Sequence, residues 1–185
     1  LHLCDRRQRQ MCIRDSHNVV FVGRNQEGIP KYAALRGIET DFIGDANGSD
    51  KRYSFSIPAE GKSVTVHLFE SAIDLLSYAT VVKLEEQNWR EEHLLSLAGV
   101  YQPAKEIEKS KIPAALARFL KEYPEIENVE FHLDNDKAGR LATKAIQMVL
   151  PKQYYTRDKP PERGKDYNDS LCIRLGIVLT KREKG

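Results

Sequence analysis

The sequence predicts an α/β fold: a parallel sheet flanked by helices, with a small β-rich subdomain in front of it. Three observations predict it. From residue 61 onward, short apolar runs alternate with stretches of helical length, and such β-α-β units need long crossovers between parallel strands. Before residue 61 the runs are short and separated by turn residues, as in hairpins. Hydrophobic residues make up 41% of the chain and charged residues 30%, which is ordinary for a globular protein.

The elements follow in order. Residues 19–24 read as a strand, Asn25-Gln26-Glu27-Gly28 as a turn, and 29–36 as the returning strand. Gly28 supplies a positive φ there. Residues 45–50 are a loop, and 53–57 alternate like a half-buried strand. The run Pro58-Ala59-Glu60-Gly61-Lys62 marks a boundary. A strand over 64–69 comes next, then a helix over 71–87 with Ile73, Leu76, Ala79, Val81 and Val82 on its apolar face. A second strand is expected at 94–100 and a helix at 112–123, with Pro113 tolerated near its start. Strand 129–133, helix 137–150, a weaker strand 153–157 and a short helix near 168–175 complete the pattern. No internal repeat is present.

The first sixteen residues read as foreign. The run from Arg6 to Ser16 resembles a direct translation of a transposon-end adapter used to prepare sequencing libraries, and such segments stand outside fold reasoning. The alternative is a basic nucleic-acid-binding arm. The expected layout is an adapter-derived tail at 1–16, a β-rich subdomain at 17–60, a catalytic domain at 61–176 and a C-terminal tail at 177–185. A native N-terminal part is expected to be missing. The tail carries four arginines and two aspartates, which accounts for the whole formal charge of +2. The basic pI is therefore no argument for nucleic-acid binding. Removing the tail also leaves Cys172 as the sole cysteine, so neither an internal disulfide nor a cysteine zinc site is available. No apolar run approaches the ~20 residues of a membrane span, and no secretory leader is visible. A cytoplasmic location without membrane association is expected.

The chemistry lies in the carboxylates. The apolar run before Glu70 and the one before Asp134-Asn135-Asp136 both end in acidic residues. Asp74 follows Glu70 by one helical turn. A third acidic cluster, Lys165-Asp166-Tyr167-Asn168-Asp169, follows the last strand. In open parallel sheets ligands bind beyond the carboxyl ends of the strands, so these groups are expected on one edge. Hard divalent cations prefer such oxygen donors, and crowded carboxylates without a cation repel. Taken singly, each has a plainer reading. Asp134 or Asp136 serves as a helix N-cap, Glu70 as a first-turn acid, and 166–169 as a capping turn. Their joint occurrence at strand ends favours a metal pocket. His67 and His132 lie inside apolar strands and are expected as hydrogen-bonded core residues rather than ligands.

The order Glu70…Asp134-x-Asp136 in an alternating β-α chain resembles the Toprim domain of bacterial primases, type IA and type II topoisomerases and small nucleases. Its fold is a Rossmann-like parallel sheet flanked by helices. Phe69-Glu70-Ser71-Ala72-Ile73-Asp74 resembles the primase Glu-Gly-x-x-Asp element. Asp134-Asn135-Asp136-Lys137-Ala138-Gly139 resembles Asp-x-Asp-x-Ala-Gly, and Gly164-Lys165-Asp166-Tyr167-Asn168-Asp169 resembles Lys-Asp-x-Asp. The words are most similar to those of Toprim proteins carried by mobile elements of Firmicutes, over 61–175. Two positions depart from the pattern. Ser71 stands where primases have glycine, and Asn168 stands in a carboxylate-bearing element.

The resemblance implies Mg²⁺, with Mn²⁺ as a substitute, held by Asp134 and Asp136, with Asp166 and Asp169 reaching a second ion. Glu70 would ligate metal or act as general acid/base, and Asp74 would orient the site or a water. Lys165 would touch a phosphate or pair with a neighbouring carboxylate. Arg24, Arg36, Lys51 and Arg52, with Tyr32, Tyr53 and Phe55 nearby, are candidates for a groove that tracks a nucleic-acid backbone. Their competing reading is an ordinary hairpin face with core aromatics. The implied activity is primase-like nucleotidyl transfer on DNA or RNA, with nucleoside triphosphates as substrates. The implied setting is replication or transfer of a mobile element, with replication or relaxase proteins as partners. A Toprim nuclease (a phosphodiesterase) and a non-catalytic binding module are the alternatives. Topoisomerase activity would need gate domains for which the chain has no room.

Overall fold

The computed structural model describes residues 11–14, 17–38 and 40–177. The expected tails at 1–16 and 177–185 fall mostly outside that range. Of the first, Met11–Arg14 forms a strand.

Two sheets make up the fold. The smaller is antiparallel, in the order β1 (Met11–Arg14), β2 (Asn18–Arg24), β3 (Pro30–Gly37) and β4 (Ile43–Asp45). The β2–β3 turn closes as expected: Gly28 has φ +79° and donates to the Asn25 carbonyl at 2.9 Å. The larger sheet has the order β5-β7-β6-β8-β9. Strands β6 (Thr65–Phe69), β7 (His93–Ser96), β8 (Asn128–His132) and β9 (Tyr155–Asp158) are parallel, and β5 (Ser56–Ile57) is an antiparallel edge.

From β6 the chain steps one way to β7, then back across to β8 and β9. Between β6 and β8 the order reverses, which makes this the switch point where ligands bind in doubly wound sheets. Right-handed crossovers put helices on opposite faces for opposite steps. Accordingly α1 (Ala72–Leu84) covers one face, and α2 (Ala114–Glu122) and α3 (Lys137–Val149) cover the other. The α2/α3 core gathers Val66, Leu68, Leu116, Phe119, Phe131 and Ile146. The α1 core joins Phe69, Leu75 and Leu94 to Phe21, Tyr32 and Phe55 of the β-rich part. All five residues of β6 are buried, as a central parallel strand requires.

Several expectations need correction. The strand expected over 53–57 shrinks to β5, because Asp50 accepts from the Arg52 amide and winds Lys51–Tyr53 into a 3-10 turn. The strand expected over 94–100 stops at Ser96. The Ser96 hydroxyl takes the Ala98 amide, and Ala98 and Gly99 then adopt φ of 60° and 105°. Helix α1 buries Ala72, Leu75 and Ala79 rather than the Ile73/Leu76 stripe. It packs on the sheet and also against the last helix, α4 (Tyr167–Arg174), so Ile73 and Leu76 are only half-buried. Periodicity alone marks one face of a helix covered on two sides. No helix among the described residues is long and apolar enough to cross a membrane.

Candidate functional site

The site is built at the carboxyl ends of β6 and β8. Glu70 follows β6 directly, and Ser71 caps α1 by accepting the Asp74 amide at 3.2 Å. The same hydroxyl donates to Asp74 Oδ2 at 2.5 Å, and the Asn168 amide donates to Asp74 Oδ1 at 3.4 Å. The serine that departs from the family pattern thus fixes the carboxylate it precedes, and Asp74 ties α1 to the start of α4. Gly99 N donates to the Glu70 carbonyl at 2.9 Å. The Ala98-Gly99 bend after β7 therefore backs the β6 tip.

Asp134 is 6% exposed. Two residues on, Asp136 caps α3 through Oδ1, which accepts the Gly139 amide at 2.9 Å. Gly139 is required by contact: a Cβ there would lie 2.1 Å from the Asp134 carbonyl oxygen. The loop before α4 reaches the same place. Asn135 N donates to the Lys165 carbonyl at 2.6 Å. Lys165 Nζ lies 2.8 Å from Asp134 Oδ2 and 3.4 Å from Asp136 Oδ2. Asp166 caps α4 by taking the Asp169 amide, and Asp169 Oδ2 takes the Lys165 amide at 3.0 Å.

The electrostatics report one shared pocket. Burial, then the Asp134 charge, pushes the Glu70 carboxyl up to about 7, against the pull of Lys165. Burial pushes Asp74 up to about 6, helped by Asp166 and Asp134 and opposed by the Ser71 hydroxyl. Asp166 is raised for the same first reason. Asp136 is lowered, chiefly by the Gly139 amide and then by Lys165. Lys165 is raised, first by its bond to Asp134.

The fold thus brings Glu70, Asp74, Asp134, Asp136, Lys165, Asp166 and Asp169 to one edge. Cap and pocket are not alternatives, because Asp136 and Asp166 are caps and also face the other carboxylates. The basic residues of the β-rich part are more scattered. Lys51 reaches Asp45 at 3.3 Å and the Ala98 carbonyl at 3.5 Å, so it belongs to the rim beside the β6 tip. Arg52 is held by Asp50 at 2.6 Å. Arg24 donates to the Gly28 carbonyl and Arg36 to that of Leu35. Tyr32 and Phe55 are core residues, 4% and 3% exposed, and offer no stacking surface. Tyr53 is half-buried, with the Arg118 guanidinium 4.7 Å from its ring centroid.

One residue was missed in the sequence. Arg140 donates to the carbonyls of Leu133 (2.7 Å) and Asp134 (3.2 Å) and pairs with Asp158 at 2.6 Å. It clamps the β8 tip to β9. Its signal was available: a basic residue one turn into α3, whose side chain leans back towards the helix N-terminus.

A second polar group lies two residues below the tips. His67, Glu130 and His132 are 2%, 5% and 3% exposed. His67 Nδ1 and His132 Nε2 are 2.8 Å apart. His132 stacks on Phe69, with ring centroids at 5.0 Å. The burial expected of both histidines is observed.

The sheet order and the carboxylate edge define the class. Residues 67–171, more than half of the chain, match the family model described as Toprim-like, and the chain belongs to that family. Among individual proteins, it is 28% identical over 186 residues to an uncharacterized protein of Bacillus anthracis, covering 93% of this chain and 49% of that one. The chain thus spans about half the length of this relative. The primase fragment of the bacteriophage T7 primase-helicase protein superposes with a TM-score of 0.57 at 18% identity, over 86% of this chain and 58% of that one. A DNA primase domain from Pseudomonas aeruginosa gives 0.57 at 18%, over 85% and 47%. At such identities the likeness is one of fold.

Proposed function

We propose that this chain carries the Mg²⁺-dependent catalytic pocket of a primase-like nucleotidyltransferase acting on DNA or RNA. The observation that supports the reading most directly is the convergence of six carboxylates on the β6/β8 switch point, with Lys165 as the cation in contact with Asp134 and Asp136. The fold shared with two primase structures agrees with it.

The donor set fits the metal. All the groups are hard oxygen ligands, the kind Mg²⁺ takes. Glu70, held near 7 by burial and like charge, would ionise more readily beside a cation. When bound, the ion would supply Lewis acidity that offsets charge on phosphate oxygens. Asp134 and Asp136 would hold it, with Asp136 using the oxygen that does not cap α3. Glu70, half-buried at the β6 tip beside Asp134, would join the metal ligands or move a proton at the attacking 3′-oxygen. Asp74, locked by Ser71 and the Asn168 amide, positions α1 against α4. Asp166 and Asp169 shape the Lys165 loop through their amide bonds and leave carboxylate oxygens for a second ion. Lys165 would exchange its carboxylate contact for a phosphate. A role in replication or transfer of a mobile element, with replication or relaxase proteins as partners, is part of the same proposal, as is the division of the chain at residues 60 and 61.

Titration calorimetry with Mg²⁺ and Mn²⁺ tests the pocket. Asp134→Asn/Asp136→Asn keeps the helix cap and should abolish binding. Unchanged binding in this variant would remove the reading. Labelled single strands with nucleotides separate the chemistries: extension supports nucleotidyl transfer, and shortening moves the assignment to a nuclease. Strand binding that persists in EDTA without turnover moves it to a non-catalytic module.

A further inference from the structure

We propose that His67, His132 and Glu130 form a buried site for one divalent ion of the Zn²⁺ class, separate from the carboxylate pocket and independent of the function proposed for it. The three side chains sit on the α1 face of the two central strands. His67 and Glu130 are direct cross-strand neighbours, and His132 pairs with Phe69 one step further.

Hydrogen-bond roles carry the first part of the inference. His67 Nε2 lies 2.5 Å from Glu92 Oε2. A carboxylate only accepts, so that nitrogen holds the proton, and Nδ1 of the neutral ring is a bare lone pair. The Tyr167 hydroxyl donates to the Lys159 carbonyl at 3.0 Å, and its oxygen lies 2.7 Å from His132 Nδ1. Nδ1 of His132 is therefore the donor, and its Nε2 is bare as well. These two bare nitrogens face each other at 2.8 Å. Glu130 Oε2 completes a triangle, 3.5 Å from His67 Nδ1 and 3.8 Å from His132 Nε2. That oxygen is buried and receives no hydrogen bond of adequate geometry. Three acceptors so placed repel, and the Lys159 ammonium, 2.8 Å from Oε2, reaches only the carboxylate corner of the triangle. A proton between the nitrogens satisfies two of them. A metal ion satisfies all three.

Size and chemistry carry the second part. A point equidistant from three atoms at those separations lies about 2.0 Å from each, the length of a zinc–nitrogen or zinc–oxygen bond. Two imidazoles and one carboxylate suit Zn²⁺, Co²⁺ or Ni²⁺ rather than Mg²⁺. Both rings also have the outer partners that ligating histidines carry, a carboxylate on one and a hydroxyl on the other. Lys159 Nζ is 2.8 Å from Glu130 Oε2 and Arg157 Nη1 is 3.4 Å from Oε1. Both cations are about half exposed or more, so each has solvent to turn into. A cleft of about 290 Å³ lined by His67, Tyr78, Trp89 and Glu92 opens onto the first of the three ligands. An ion here would cross-link β6 to β8 just beneath Glu70 and Asp134.

The test uses the full chain carrying Cys4→Ser and Cys12→Ser, stripped with a chelator and given one equivalent of Co²⁺ in excess Mg²⁺. The expected result is one bound cobalt with the intense visible bands of a four- or five-coordinate ion, displaced by Zn²⁺. Proton NMR of that sample should show two strongly shifted imidazole N–H signals. Asp134→Asn/Asp136→Asn should keep the ion. His67→Gln should lose it, and Glu92→Gln should hold it about tenfold more weakly. Wild-type protein that binds no cobalt under these conditions, or shows no shifted imidazole signals, overturns the proposal whether or not the variants fold. So does an ion lost from the aspartate variant and kept by the histidine variant. Failure here leaves the Mg²⁺ titrations untouched, since those report on Asp134 and Asp136.

Discussion

Lys165 Nζ bridges Asp134 Oδ2 at 2.8 Å and Asp136 Oδ2 at 3.4 Å, so a loop from the far end of the domain neutralises the β8 tip. A cation that neutralises carboxylates also competes with any ion they bind. Lys165→Met should therefore tighten Mg²⁺ binding about fivefold, the equivalent of a half-exposed pair worth ~1 kcal/mol. It should lower nucleotide incorporation if the lysine serves a phosphate. Calorimetry measures the first effect. Weaker Mg²⁺ binding would mean that the lysine shapes the pocket instead of competing for it.

Glu70 gives a pH signature. Its carboxyl is pushed up to about 7 from an ordinary 4.5, by burial first and Asp134 second. Between those values the folded state binds more protons than the unfolded one. Its contribution to stability therefore falls as pH rises through that window and levels off above about 7. Glu70→Gln removes this dependence. In EDTA the variant should gain on wild type by about 1–2 kcal/mol across the window, after discounting for partial exposure. Parallel stability curves for the two proteins would show that the carboxyl is not raised.

Gly139 admits no side chain. A Cβ would lie 2.1 Å from the Asp134 carbonyl oxygen and 3.0 Å from its amide nitrogen, all rigid backbone. Gly139→Ala should cost about 3 kcal/mol by overpacking, despite the better helix propensity of alanine. Chemical denaturation would measure it, and a stability equal to wild type would contradict the close approach.

Arg140 touches no proposed ligand side chain. It holds two tip carbonyls and Asp158. Arg140→Lys keeps the charge and loses the fork, which is not a conservative change at such a site. Mg²⁺ affinity should fall about tenfold with helix content unchanged. The pairing of binding data with circular dichroism separates positioning from unfolding.

The parallel sheet was legible because β6 and β8 are buried runs that end abruptly in acid, and because the helices between them have crossover length. The carboxylate edge was legible for the same reason, since strand ends locate a ligand edge without any side-chain detail. The partnerships were not. Asp74 bonds Ser71 within the α1 cap, but its bond from the Asn168 amide depends on α4 docking against α1. The 3-10 turn at Lys51–Tyr53 was hidden because an Asp50 side chain competes with strand pairing, while the residues themselves alternate like a strand. Periodicity alone does not mark the buried face of α1, because α4 covers its second side. Tyr32 and Phe55 read equally well as groove or core, and only the packing of the β-rich part onto α1 separates the two.

The carboxylates come from three segments far apart in sequence, and α4 arrives last along the chain with Lys165 in its leading loop. The mutual repulsion of the acids is therefore felt only where the three segments meet. The consequence is kinetic. A cation that binds only the assembled edge is expected to slow unfolding while leaving the folding rate nearly unchanged, and an accelerated folding limb in Mg²⁺ would place these contacts before the barrier. An ion there would raise the equilibrium population of the folded state through slower unfolding alone, so its gain in stability should be read in the unfolding limb.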